Sequence, residues 1–282
     1  MSPGTREPYG VRLARAARER GPLCVGIDPH PGLLRAWGLE ADVAGLERCA
    51  RGMVDALAGT VAVLKPQSAF FEAYGSAGVA VLERTLADIS AAGALSLLDV
   101  KRGDIGSTMD AYAAAYLTDG STLAADAITL SPFLGFGSLD GALRVAQEHG
   151  RGVYVLALTS NPEGPQVQHA TTAEGTSVGQ VVVDEAARRN AGPRPGDVGI
   201  VVGATIGRTG TRFDDLNGSI LAPGLGAQGG TAAGLAEVFG AALPLVLPTT
   251  SREVMGAGPD PDRLRTAAAA ALASVRDVLR PR

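Results

Sequence analysis

The sequence predicts a single-domain α/β fold, a (β/α)8 barrel. Three observations predict it. The length of 282 residues is close to the ~250 residues that such a barrel takes as one domain. Eight short apolar runs recur along the chain with helical or helix-like segments between them. The runs are continuous rather than alternating, which means burial on both faces and therefore a parallel sheet clad in helices. Polar or charged residues follow most of the runs, as expected where the loops at the carboxyl ends of barrel strands build a site. An open doubly wound sheet is the structural alternative, but no G-x-G-x-x-G follows the first run.

The elements follow in order. Residues 9–20 read as an amphipathic N-terminal helix, with Val11 and Leu13 among Arg and Ala. The first strand is 22–27, ending in Asp28-Pro29. A helix over 42–57 has Asp42 as its N-cap. The second strand, 61–65, stops at Pro66, and a helix over 75–92 is ended by Gly93. The third strand, 95–101, turns through Gly103 into a helix over 107–117. The fourth is 125–130, followed by Ser131-Pro132 and a helix over 139–149 closing on Gly150. The fifth is 152–158, followed by a long polar loop, 161–175, and a helix over 177–190. The sixth is 198–203, the seventh 219–222, with an unassigned segment, 208–217, between them. A glycine-rich loop, 223–230, leads into a helix over 232–239. The eighth strand is read at 243–247 and the closing helix at 261–279, with Pro261 in its first turn.

Composition narrows the function. Hydrophobic residues at 46% supply a core, and a net charge of -4 argues against nucleic acid as a partner. No run reaches the ~18 apolar residues of a membrane span, and residues 1–10 hold no apolar segment of leader type. Cys24 and Cys49 form no C-x-x-C, and Cys24 reads as a buried, reduced core thiol. These features place the protein in the cytoplasm. The three histidines, His30, His149 and His169, lack metal-ligand spacing, so neither a metal nor a cofactor is expected.

One stretch stands out: Asp99-Val100-Lys101-Arg102-Gly103-Asp104-Ile105-Gly106-Ser107-Thr108. Residues two apart in a strand share a face, so Asp99 and Lys101 lie side by side at the end of a buried strand. Of 25 Lys+Arg, only Lys65 and Lys101 are lysine, and both end apolar runs. Arg cannot release a proton near neutral pH, whereas Lys can. These two positions therefore read as places that need an ammonium, at least one of them for proton transfer. Asp28, Lys65 and the Asp99/Lys101 pair charge the ends of the first three strands. The glycine loop after the seventh strand and Arg252 after the eighth occupy the two places where these barrels bind phosphate.

The ten-residue stretch resembles the D-x-K-x-x-D-I-x-x-T motif of the orotidine 5′-phosphate decarboxylases, cofactor-free (β/α)8, or TIM, barrels. Pro223-Gly224-Leu225-Gly226-Ala227-Gln228-Gly229-Gly230 resembles their phosphate-gripping loop. Val202-Gly203-Ala204-Thr205, Thr159-Ser160-Asn161-Pro162 and Ser131-Pro132-Phe133-Leu134-Gly135 are similar to the longer bacterial branch. The resemblance implies decarboxylation of orotidine 5′-monophosphate to uridine 5′-monophosphate in a homodimer with shared sites. It implies a charged array of Lys65, Asp99 and Lys101 joined by Asp104 of the other subunit, with Ile105 and Thr108 also crossing over. It further implies that Asp28 and Lys65 hold the ribose, Ser131 meets the pyrimidine, and Gln228 and Arg252 bind phosphate beside Pro223 and Gly229. Two other readings compete: a Schiff-base aldolase using Lys101 or Lys65, and a non-catalytic nucleotide-binding barrel.

Overall fold

Eight parallel strands close into a barrel, because the first pairs with the last as well as with the second. The computed structural model describes residues 6–279; residues 1–5, within the stretch expected to lack a leader, and 280–282 lie outside the described residues. In order the elements are α1 (Tyr9–Arg20), β1 (Cys24–Ile27), α2 (Pro31–Ala36), α3 (Val43–Leu57), β2 (Val63–Pro66), α4 (Ser68–Glu72) and α5 (Gly75–Ala91). Then come β3 (Leu95–Arg102), α6 (Gly106–Leu117), β4 (Ala127–Leu130), α7 (Asp140–Glu148), β5 (Gly152–Leu158), α8 (Pro165–Gln168) and α9 (Val178–Arg189). The chain ends with β6 (Val198–Val202), β7 (Ile220–Pro223), α10 (Ala232–Phe239), β8 (Val246–Thr250), α11 (Arg252–Met255) and α12 (Pro261–Arg276).

The local signals act as expected at several ends. The Asp42 carboxylate accepts from the Gly45 amide at 2.8 Å, and Asp260 caps α12 ahead of Pro261. Three short helices, α2, α4 and α11, were not anticipated. Each follows a strand directly and spans four to six residues, too few to display a helical period. The long loop contains α8, and residues 208–217 form turns without helix or strand.

The eighth strand is corrected. Gly240–Leu245 is a 3-10 turn, and the strand begins at Val246 and runs through Thr250. Hydrophobicity drew the expected strand back to Leu243. Pairing decides otherwise: Val246 aligns with Ile220 of β7, and Thr249 and Thr250 align with Cys24 and Val25 of β1. The two threonines sit at the polar, carboxyl end of the barrel, which is why hydrophobicity missed them.

The strands bury both faces. Cys24, Val63, Leu97, Ala127, Tyr154, Val201, Leu221 and Leu247 form one cluster, distinct from the larger core that holds Val25, Leu64, Leu98 and Ile128 with the surrounding helices. Neither cysteine is in a disulfide, and burial pushes both thiols up to about 12. Among the described residues no helix is long and apolar enough to cross a membrane.

The helix α1 caps the amino end of the barrel. Tyr9 is fully buried, its ring edge-on to Tyr154 and its hydroxyl 3.2 Å from the Tyr154 hydroxyl. Arg12 pins the helix through Asp126 at 2.5 Å and the Gly150 carbonyl at 2.7 Å. Tyr9→Phe removes one buried hydrogen bond, so urea unfolding should show a loss of about 1 kcal/mol with turnover unchanged.

Candidate functional site

Lys65, Asp99 and Lys101 meet at the carboxyl end of the barrel. Lys65 ends the apolar run of β2, and Asp99 and Lys101 end that of β3. Asp99 bridges the two ammonium groups, with Oδ2 at 3.0 Å from Lys65 Nζ and Oδ1 at 2.6 Å from Lys101 Nζ. The Lys65 and Asp99 side chains are 7% and 11% exposed, while Lys101 is 45% exposed. One lysine is thus sealed in the floor and the other reaches into the open space above it.

Burial by itself would lower the Lys65 pKa, but the carboxylates of Asp99 and Asp28 overcome it and hold the ammonium above its ordinary value. Burial likewise opposes ionisation of Asp99, and the two lysines reverse this and keep its carboxyl well below the usual range. Lys65 and Asp99 are therefore both charged at neutral pH.

Lys101 does not lie in a regular strand. Its φ is +47°, the left-handed region that costs a residue bearing a Cβ. The ladder between β3 and β4 shifts register between Leu98 and Arg102. The resulting bulge re-aims side chains at the strand end, a common device beside active sites. Thr129 of β4 serves this bulge. Its hydroxyl accepts from the Lys101 amide at 2.9 Å and donates to Asp99 Oδ1 at 2.9 Å. Thr129 gives no signal in the sequence, where it reads as one polar residue inside an apolar strand.

A cavity of about 540 Å³ opens over the array, between Asp28, Lys65 and Asp99 on one side and Gly224, Gln228 and Arg252 on the other. Asp28 Oδ1, Gln67 Oε1 and Thr250 Oγ1 are buried without a hydrogen-bond partner, and all three residues line this cavity. Buried polar atoms left unpaired are costly in a protein, so the wall is built to be satisfied by a polar ligand. Gln67, Thr250 and the cavity-lining His30 carry no sequence signal as site residues, since Gln67 and His30 precede short helices and Thr250 is one polar residue at the end of β8.

The glycine-rich loop is a compact turn. Gly224, Gly226 and Gly229 have φ of +111°, +74° and +89°, values a side chain rarely permits. The Gly224 and Leu225 amides bond to the Thr249 carbonyl, which ties the loop to β8. Arg252, exposed at the start of α11, makes no ion pair among the described residues. Pro223, Gly224, Gln228 and Arg252 thus all line the cavity. Gly229 belongs to the loop but not to the cavity wall.

A second, smaller lobe of about 190 Å³ shares Lys65, Asp99 and Pro223 with the first and is lined further by Lys101, Thr129, Leu158 and Ser160. Ser131 lines neither lobe. Its amide is bonded to the Arg102 carbonyl at 2.7 Å, and its carbonyl packs where Gly103 lacks a Cβ. Thr159 and Ser160, at the end of β5, face the lobe instead. Both sequence segments carry a serine after a strand, and only the barrel geometry distinguishes them.

Asp104, Ile105 and Thr108 do not join the array within the chain. The Asp104 carboxylate accepts only its neighbour's amide, Ile105 N at 2.8 Å, and makes no ion pair among the described residues. Ile105 is 62% exposed and Thr108 is exposed. Nearby, in the loop after β4, Phe133 and Leu134 are 78% and 52% exposed.

The sequence model of the orotidine 5′-phosphate decarboxylase / HUMPS family matches residues 21–266. An orotidine 5′-phosphate decarboxylase of Salinispora tropica is 61% identical over 274 residues, covering 97% of this chain and 99% of that protein. One from Streptomyces coelicolor is 59% identical, covering 93% and 95%. A crystal structure of a candidate orotidine 5′-phosphate decarboxylase from Streptomyces avermitilis superposes with a TM-score of 0.96 at 54% identity, over 99% of this chain and 98% of that one.

Proposed function

The chain belongs to the orotidine 5′-phosphate decarboxylase / HUMPS family, and from that premise we propose how its site converts orotidine 5′-monophosphate to uridine 5′-monophosphate and CO2. It is a carboxy-lyase of pyrimidine nucleotide formation. The observation that carries the assignment of roles is the doubly bridged Asp99, with one lysine sealed beneath it and one reaching the cavity.

When the bond from the ring to its carboxylate breaks, the electron pair stays on a ring carbon with no conjugated sink. Lys101 stabilises that carbanion-like centre and protonates it, and afterwards regains a proton from solvent. Asp99 accepts from the Lys101 ammonium and fixes its direction. Lys65, held charged from below, and Asp28 bind the ribose hydroxyls. Gln228 and Arg252 hold the phosphate with the glycine loop. Ser160 and Thr159 face the pyrimidine. The slowest reference reactions demand barrier reductions beyond ~20 kcal/mol, which no single ion pair supplies. Binding energy from the remote phosphate is therefore used to organise the array.

Asp104, Ile105 and Thr108 complete the site of a second subunit. The exposed Ile105, Phe133 and Leu134 support this, since an apolar group of that kind beside a site marks an interface. The enzyme is accordingly read as a cytoplasmic homodimer, and the free, buried thiols support the first part of that reading. A Schiff-base mechanism is disfavoured at Lys65, because an ammonium held by two carboxylates is a poor amine nucleophile.

The direct test is CO2 release from orotidine 5′-monophosphate by the purified protein, without added metal or cofactor. Binding of uridine 5′-monophosphate with no turnover would defeat the assignment. Arg252→Ala removes a charge-assisted contact to phosphate and should raise KM by about 10- to 100-fold, with a smaller effect on truncated substrate lacking the phosphate.

A further inference from the structure

We propose that Thr129 is a positioning residue for the decarboxylation: its single hydroxyl holds Asp99 and the left-handed backbone of Lys101 in one closed ring. The inference rests on the functional reading above but concerns a residue outside the motif. Three hydrogen bonds close the ring, and a fourth ties it to Lys65. The Lys101 amide donates to Thr129 Oγ1 at 2.9 Å, and Thr129 Oγ1 lies 2.9 Å from Asp99 Oδ1. Asp99 Oδ1 accepts from Lys101 Nζ at 2.6 Å, and Asp99 Oδ2 accepts from Lys65 Nζ at 3.0 Å.

The direction of each bond is forced. An amide can only donate, so the Thr129 oxygen is the acceptor there. A carboxylate held ionised by two lysines can only accept, so the Thr129 proton points at Asp99. The hydroxyl has no freedom left, and it is 1% exposed. Both ends of Lys101, its backbone amide and its side-chain ammonium, are thereby fastened to the same carboxylate oxygen, one through Thr129 and one directly.

The backbone explains why a side chain is needed. In a regular parallel ladder a carbonyl of a neighbouring strand would take the Lys101 amide. The register shift between Leu98 and Arg102 removes that partner, and the φ of +47° must be held against a Cβ clash. A threonine hydroxyl, carried on the neighbouring strand, supplies the missing acceptor and at the same time reaches the carboxylate. Valine has the same shape and neither bond. Its presence would leave a buried amide unpaired and let Asp99 rotate relative to Lys101. Displacement of a reacting group by ~1 Å can cost about 100-fold in rate.

The test compares Thr129→Val and Thr129→Ser with the wild type. Sites are counted by titration with uridine 5′-monophosphate, so that misfolded protein is excluded. Thr129→Val should lower kcat per counted site by about 10- to 100-fold while KM moves by less than about threefold. Thr129→Ser, which keeps the hydroxyl, should return most of the loss. An unchanged kcat in Thr129→Val, a Ser variant as poor as the Val variant, or a loss confined to the number of sites would overturn the inference. A crystal structure of Thr129→Val gives a readout independent of activity. It should show the Asp99 carboxylate rotated away from Lys101 Nζ or Lys101 out of the left-handed region, and unchanged placement of both would overturn the proposal. Wild-type protein that releases no CO2 would defeat the functional reading alone, and the crystal structure would then decide the role of Thr129.

Discussion

Lys101→Ala is expected to lower kcat for CO2 release by on the order of 10⁴-fold, the upper end of what a positioned general acid supplies. The substituted chain should still bind uridine 5′-monophosphate, because Arg252, Gln228 and the glycine loop are untouched. Asp104→Ala should also lose nearly all activity, although Asp104 touches no member of the array in its own chain. Mixing the two inactive proteins separates a shared site from a self-contained one. If Asp104 serves the neighbour, each mixed dimer carries one site with both substitutions and one with neither. Random exchange makes half the dimers mixed, so about a quarter of wild-type activity should return. No recovery, with subunit exchange verified by mass, would show that Asp104 acts at its own site or not at all.

Asp99→Asn should damage both stability and activity. The substitution keeps the shape of the side chain and removes its charge, leaving the Lys65 ammonium buried with Asp28 as its remaining nearby carboxylate. Breaking a buried pair in this way costs about 3–5 kcal/mol. The pH dependence has a definite sign. The Asp99 carboxyl is held below its ordinary value in the folded protein. Its contribution is therefore present above the unfolded value of about 4 and is lost as pH falls through the folded one. Lys65 is held above its ordinary value, so its contribution is complete below about pH 10 and is lost as pH rises through the folded value. The stability difference between wild type and Asp99→Asn should thus be level from about pH 5 to 9 and shrink below about pH 4. Denaturant melts at pH 7 and pH 3 check this, and an equal difference at both would contradict the charged array. Turnover should fall as well, since Lys101 loses the group that fixes its ammonium.

Much of the site was legible because its chemistry is local in sequence. Asp99, Lys101 and Asp104 stand at fixed spacing, and the restriction of lysine to positions 65 and 101 in an arginine-rich chain marks both before any fold is known. Most strand ends, the cap at Asp42, Pro261 at the start of the closing helix and the glycine loop follow from short-range rules. What failed was whatever depends on a partner far along the chain. The eighth strand was misplaced because its last residues, Thr249 and Thr250, are polar and are strand only by pairing with Cys24 and Val25. Ser131 and Ser160 look alike in sequence; the Ser131 amide bonds to the Arg102 carbonyl, while Ser160 lines the smaller lobe.

By itself the sequence determined the barrel, the acid–base pair at its mouth and the glycine loop, since each is encoded by residue type and spacing within a few residues. The tertiary structure alone decided how Asp99 divides its two oxygens between Lys65 and Lys101, and how Lys101 is held in a left-handed bend by Thr129. That division is fixed by the register between β2, β3 and β4. Register is a property of strands meeting across the barrel, and no spacing within one strand contains it.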